Sequence, residues 1–131
     1  WDPHNKCYIN QLESIQNRAA RFILNDYRRY SSVTHMKSLI GLESLESRRK
    51  LNKAILFYKM QNNLVDLNLQ LRPSFHFPGR FMQIQCRTTA YQRSCIPDAI
   101  VVWNSLAQST TTAASLEEFK TTASSELIKT F

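Results

Sequence analysis

Apolar side chains recur every three or four positions near the start of the chain, at Tyr8, Leu12, Ile15, Ala19 and Phe22. This spacing places them on one face of an α-helix, because 3.6 residues complete each turn. Arg18 and Arg21 lie beside that face, and Asn25 and Arg28 continue their line. We therefore predict a helix over about residues 3–24, with an apolar face that packs on protein and a basic edge that can meet an acidic partner.

Capping residues and apolar spacing predict four more helices, over residues 33–40, 44–62, 97–106 and 116–128. Asp2 before Pro3 is the predicted start of the first helix, and serine is the predicted N-cap of three others, namely Ser32, Ser44 and Ser115. Gly41 is expected to end the second helix in the left-handed conformation. The third helix, residues 44–62, is apolar over most of its circumference, so we expect it to need burial on more than one side.

Residues 64–96 lack the helical spacing of apolar side chains that marks the predicted helices. Residues 72–80 form a proline-containing connector, and apolar and polar side chains alternate over residues 81–86. Pairing of this segment with residues 88–91 is compatible with a short β-hairpin within residues 80–92. The predicted fold is thus mainly α, a small helical domain of about five helices. It divides into a helical segment 1–63, a connector 64–96 and a C-terminal helical segment 97–131.

Positive charge is concentrated in the first half of the chain. The formal net charge is +7, and residues 1–60 carry 11 Lys and Arg against 5 Asp and Glu. Such a distribution is typical of a surface that binds a polyanion, most often nucleic acid, and the alternative is a solvated helix surface. Tyr27 and Tyr30 flank Arg28 and Arg29, so this cluster either stacks on bases and contacts phosphates or packs at a helix corner.

Sequence motifs for catalysis and metal binding are missing. The two glycines cannot build a phosphate-binding loop, and the three cysteines and three histidines have no metal-ligand spacing. We expect no catalytic site, cofactor, metal or small-molecule substrate. No apolar run is long enough for a bilayer span, so no membrane partner is expected. The chain opens without a methionine or a secretory leader, so we expect part of a longer intracellular protein, nuclear or cytoplasmic.

Eight short phrases occur in an order that resembles one family. They are LExxQxRAARF from Leu12, SVTxM from Ser32, SLExRR from Ser44, LFYKM from Leu56, CRTxxY from Cys86, SxxP from Ser94, WNSL from Trp103 and SLxxFK from Ser115. The series is similar to the region downstream of the polymerase core in reverse transcriptases of non-LTR (LINE-type) retrotransposons, especially the jockey-like group. It spans nearly the whole chain.

The resemblance implies a helical thumb that grips an RNA or RNA–DNA hybrid duplex, followed by a C-terminal tail. The catalytic aspartates would lie upstream, in the palm and fingers that this segment would contact. The residues expected to bind nucleic acid are Arg18, Arg21, Arg48 and Arg49 from the motifs, and Arg28, Lys50 and Lys53 from local charge. Tyr91, Trp103 and Asn104 match positions expected to stabilise the fold of the tail.

Two alternatives remain at the level of sequence. The first is a helical protein-interaction module that docks through the over-apolar third helix; under the thumb interpretation that helix instead lacks the palm as its neighbour, and the isolated chain is expected to be only marginally stable. The second is a non-functional relic of a mobile element, because the chain departs from the family pattern. Asn17 and Asp98 occupy commonly basic positions, Leu42 and Glu43 replace tryptophan and proline, and Cys95 and Ile96 replace aromatic residues.

Overall fold

The computed structural model describes residues 2–67 and 69–129, and the regular structure of these residues is α-helical. The helices are α1 (Lys6–Leu24), α2 (Val33–Leu39), α3 (Leu45–Gln61), α4 (Thr89–Gln92), α5 (Cys95–Ser105), α6 (Gln108–Thr111) and α7 (Leu116–Lys129). The five helices of seven residues or more follow the five predicted ones in order, so the predicted mainly α fold is confirmed. The four-residue helices α4 and α6 were not predicted.

Most helix ends lie where the capping residues placed them. The Ser44 hydroxyl accepts a hydrogen bond from the backbone N–H of Ser47 at 3.0 Å, as expected of an N-cap. Gly41 has a φ of +68° and follows α2 in the left-handed conformation. The start of α1 was predicted wrongly. Its N-cap is Asn5, whose Oδ1 accepts from the N–H of Cys7 at 2.9 Å.

The chain divides by packing into two compact units, Trp1–Arg49 and Lys50–Phe131, which we call the N-terminal and C-terminal units. The boundary falls within α3, a continuous helix from Leu45 to Gln61. The predicted division by role, into residues 1–63, 64–96 and 97–131, stays a prediction.

Hydrogen bonds from two polar residues of α1 organise the N-terminal unit. The carboxylate of Glu13 contacts the Lys37 ammonium on α2 at 3.4 Å and accepts the backbone N–H of Glu46 at 3.3 Å. The side-chain amide of Gln16 donates to the carbonyl of Glu43 at 2.8 Å. Because Glu46 lies in the first turn of α3, Glu13 satisfies an N–H that has no partner within the helix. These bonds tie α1 to α2 and to the start of α3.

An aromatic cluster forms the core of the C-terminal unit. The ring centroids of Phe57 and Trp103 are 4.8 Å apart, those of Tyr58 and Phe119 are 4.5 Å apart, and those of Trp103 and Phe119 are 5.7 Å apart. Phe57 and Tyr58 belong to α3, Trp103 to α5 and Phe119 to α7. The buried aromatic side chains of α3 therefore pack against α5 and α7. Leu51, Ile55 and Leu56 remain partly exposed, and docking of a partner through α3 stays a prediction.

The β-hairpin expected within residues 80–92 does not form. Thr88 is an N-cap whose hydroxyl accepts from the N–H of Tyr91 at 3.3 Å, so residues 89–92 become helical. Phe81 instead makes an isolated antiparallel bridge with Pro73. The N–H of Ser74 donates to the carbonyl of Arg80 at 2.9 Å beside this bridge. The chain reversal therefore lies earlier in the sequence than predicted.

Candidate nucleic-acid interface

The apolar face of α1 is largely exposed, contrary to the expectation that it packs on protein within this chain. Ile15 and Phe22 are 56% and 76% exposed, whereas Gln16 and Ala20 are buried. Gln16 takes part in the hydrogen bonds to α3, and the small Ala20 permits close approach of its neighbours. Hydrogen bonding and small size, rather than hydrophobicity, thus select the packed face. We call Ile15, Ala19 and Phe22 the α1 stripe.

Arg21, predicted to contact phosphates, holds a loop of its own chain. Its guanidinium donates to the carbonyl oxygens of Asp26, Arg28 and Ser31 at 3.3, 3.0 and 3.3 Å. Asn25, with a φ of +49°, ends α1 just before these residues. The fork of N–H donors on an arginine suits several carbonyls at once. We call residues 25–32 the first loop, and Arg21 fixes its shape.

Arg28 is paired within the first loop. Its Nε and Nη2 donate to the two carboxylate oxygens of Asp26, both at 3.0 Å. This contact lowers the pKa of the Asp26 carboxyl well below its ordinary value of 3.8 and raises the pKa of Arg28. The guanidinium carbon of Arg28 also lies 5.7 Å from the ring centroid of Tyr30. Asp26 therefore offsets part of the charge that Arg28 can offer to a phosphate.

The other members of the aromatic–basic cluster point outward. Tyr27 and Tyr30 are 63% and 83% exposed, and Arg29 is exposed. The alternative in which the tyrosines pack at a helix corner does not fit this exposure. Exposed aromatic rings beside a cation, on a loop shaped by Arg21, provide flat surfaces and positive charge together.

The predicted cations of α3 have unequal surroundings. Arg48 is exposed. Arg49 is partly buried and contacts the carboxylate of Asp2 at 2.8 Å. Lys50 is partly buried, and Lys53 is buried and forms an ion pair with Asp98. Burial and pairing make Lys53 a poor candidate for nucleic-acid contact.

Four exposed cations of the N-terminal unit have no hydrogen bond or ion pair from their side chains within residues 2–67 and 69–129. They are Lys6, Arg18, Arg29 and Arg48. Arg18 and Arg48 were among the residues predicted to bind nucleic acid, whereas Lys6 and Arg29 were not. Arg29 belongs to the aromatic–basic cluster that the sequence singled out, and that membership was the available signal. We call these four residues the exposed cations.

Comparison with known proteins adds no relative. The chain matches no protein-family model, and no curated protein or solved structure is significantly similar to it.

No helix in residues 2–67 and 69–129 has both the length and the hydropathy for a bilayer span. The same residues contain no group of three or more His, Cys, Asp or Glu side chains placed to hold a metal ion. The cysteines are unpaired thiols. The N-terminal unit does offer four exposed cations, one of which, Arg29, lies in the first loop with the exposed Tyr27 and Tyr30.

Proposed function

We propose that the N-terminal unit binds the sugar–phosphate backbone of an RNA or RNA–DNA hybrid duplex. The chain would then be the thumb and C-terminal tail of a non-LTR retrotransposon reverse transcriptase. The observation that carries the proposal is the first loop, where Arg21 fixes the backbone and Tyr27, Arg29 and Tyr30 face outward. The ordered series of family-like phrases supports the same assignment.

The chemistry of the exposed cations suits contacts that do not read sequence. Guanidinium and ammonium groups on exposed side chains neutralise phosphates and release condensed counterions, which makes affinity fall steeply with salt. Base edges are read by side chains that enter a groove, and phosphate contacts carry no such information. The proposed role is therefore to hold a duplex in position for an upstream palm that carries out the polymerisation. The chain itself is proposed to be non-catalytic.

A protein contact is the second candidate function, and the α1 stripe is the observation that favours it. Ile15 and Phe22 are exposed apolar side chains one helical repeat of seven residues apart, so they lie on the same side of α1. Such a stripe can pack in an apolar groove of a partner. Within the proposed polymerase, the upstream palm or fingers is the partner that we assign to it.

The test is a salt titration of binding to a short RNA–DNA hybrid, measured by fluorescence anisotropy. We expect the logarithm of the affinity to fall linearly with the logarithm of the salt concentration, at a slope that indicates several phosphate contacts. Arg18→Ala should weaken binding of all sequences equally and reduce the slope by about 1. Lys120→Ala removes the same charge from α7, where Lys120 pairs with Glu117 at 2.7 Å, and should leave binding unchanged.

The alternatives have different signatures. Absence of binding at low salt would reject the nucleic-acid proposal and favour a relic or a protein-interaction module. The apolar contact would be favoured if the chain binds a palm–fingers fragment with an affinity that hardly changes with salt. That binding should be lost in the double variant Ile15→Gln and Phe22→Gln. Loss of duplex binding for only some sequences in Arg18→Ala would contradict a backbone-contact role.

A further inference from the structure

A second exposed aromatic loop lies in the C-terminal unit, over residues 74–80. Phe75 is 92% exposed and Phe77 is 57% exposed. The guanidinium carbon of Arg80 lies 5.1 Å from the centroid of the Phe77 ring. We call this segment the aromatic loop. Singly exposed apolar residues are common on protein surfaces, but two phenylalanines with an arginine on one short loop form a local cluster.

Side chains of the core hold the base of the aromatic loop. The indole N–H of the buried Trp103 donates to the carbonyl of Gly79 at 3.0 Å. The Asn104 amide accepts the N–H of Phe81 at 3.0 Å and donates to the carbonyl of Phe81 at 2.8 Å. Gly79 has a φ of +78°, a conformation in which glycine avoids the strain of other residues. The phenylalanines are thus presented from a pinned base.

The charge of the surrounding chain favours an anionic ligand. Residues 67–97 contain four arginines and no aspartate or glutamate. The arginines are Arg72, Arg80, Arg87 and Arg93, and each is exposed. The phosphates of a flexible nucleic-acid strand can form ion pairs with these arginines. A basic partner would find no carboxylate to pair with in this segment.

We propose that the aromatic loop binds single-stranded nucleic acid by stacking unpaired bases on Phe75 and Phe77, with Arg72 and Arg80 near the phosphates. Every base has a flat π-face, so stacking tolerates any sequence. Bases inside a duplex have their faces covered by neighbouring pairs, and this loop therefore selects an unpaired strand. The site lies on a different unit from the exposed cations and takes a different ligand, so it does not depend on the proposed duplex contact.

The test uses the full chain and a 12-nucleotide single strand that carries 2-aminopurine, whose fluorescence falls when the base stacks. We expect Phe75→Ala to lower single-strand affinity by about tenfold, a typical effect for one stacked base, and to reduce the fluorescence decrease at saturation. Phe75→Leu should behave like Phe75→Ala, because leucine is apolar without a π-face, and Phe75→Trp should retain binding. Because Phe75 is almost fully exposed, these variants should fold normally.

Controls separate stacking from general stickiness and from the duplex proposal. Met82→Ala removes another exposed apolar side chain beside the loop and should leave single-strand affinity unchanged. Hybrid-duplex binding should not change in Phe75→Ala, whereas Arg18→Ala should weaken it. Equal single-strand affinity of Phe75→Ala and the natural chain would overturn the stacking site, as would full binding by Phe75→Leu. Absence of single-strand binding by the natural chain would also overturn it, whatever happens with duplex.

Discussion

Arg21 donates a hydrogen bond from its guanidinium to the backbone carbonyl of Arg28, 3.0 Å away, and thereby fixes the loop that follows α1. Trp103 does the same for the aromatic loop, through the bond from its indole N–H to Gly79. In each unit a helix side chain holds loop carbonyls while aromatic and basic side chains of that loop remain exposed. The same arrangement thus occurs in two parts of the chain with no shared sequence phrase.

Arg21 and Arg18 should differ in their effect on stability. Arg21→Ala removes three hydrogen bonds to loop carbonyls, so we expect the free energy of unfolding to fall by about 1–3 kcal/mol. Arg18→Ala removes an exposed side chain from the same helix and should change it by less than about 0.5 kcal/mol. Chemical denaturation followed by circular dichroism measures both. Equal destabilisation by the two variants would contradict the assignment of Arg21 to the loop.

Arg48 and Lys53 should differ in their effect on nucleic-acid binding, although both were predicted contacts on α3. Arg48→Met removes an exposed charge, so we expect hybrid affinity to fall by about two- to fivefold at low salt, with a smaller salt slope. Lys53→Met alters a buried lysine paired with Asp98 and should leave affinity unchanged. Fluorescence anisotropy titrations of the two folded variants with the RNA–DNA hybrid measure these affinities. A larger loss in Lys53→Met would restore Lys53 to the interface.

Local signals in the sequence were enough to predict the positions of the main helices. Most of the wrong predictions concern residues whose partners lie far away in the sequence. Ser44 and Gly41 act within a few residues of their own position, so their roles could be predicted. The packed face of α1 could not, because Gln16 is buried through a bond to Glu43, which lies 27 residues away. A prediction from the spacing of apolar residues does not take such a hydrogen bond into account, so it places a polar residue such as Gln16 on the exposed face.

The same limit applies to the candidate site, because the surroundings of its cations depend on residues far away in the sequence. Arg49 and Lys53 carry the same charge in the sequence as Arg48, but their partners lie 47 and 45 residues away, at Asp2 and Asp98. Only the fold reveals that these charges are paired. The hairpin prediction failed for a related reason, because Thr88 caps a short helix where alternation alone favoured a strand.

The stability of the first loop should depend on the charge of Asp26. The Asp26 pKa is lowered in the folded chain, mainly by the Arg28 side chain. The stabilisation is therefore present above the ordinary carboxyl pKa and is lost as the pH falls toward the folded value. We expect Asp26→Asn to lose less stability than the natural chain as the pH falls from about 5 to about 2. Denaturation at several pH values measures this.

The control for this pH dependence is Asp66→Asn, which alters an exposed carboxylate outside the first loop. Its acid-induced loss of stability should match that of the natural chain. A carbon NMR titration of the Asp26 carboxyl gives an independent reading. Titration of Asp26 at its ordinary pKa would show that the contact with Arg28 does not persist in solution.

Glu13 should be more important for stability than an ordinary surface glutamate. Glu13→Ala removes the ion pair with Lys37 and the acceptor for the Glu46 N–H, so we expect a loss of about 1–3 kcal/mol. Glu13→Gln keeps an acceptor and should cost less. Glu117→Ala, on an exposed side chain paired with Lys120, should stay within about 0.5 kcal/mol. Chemical denaturation measures the free energy of unfolding of all three variants. Equal losses of stability in Glu13→Ala and Glu117→Ala would contradict this role of Glu13.

Asn104 should control the order of the aromatic loop without touching its ligand. Asn104→Ala removes both hydrogen bonds to Phe81, so we expect faster hydrogen exchange over residues 73–86 and a stability loss of about 1–3 kcal/mol. Ser105→Ala is the neighbouring control, since its hydroxyl donates to the carbonyl of Val102 within α5. Single-strand affinity should fall in Asn104→Ala although Phe75 is intact, because the loop must then be ordered on binding. Unchanged exchange in peptides from this segment would mean that contacts other than those of Asn104 hold the loop.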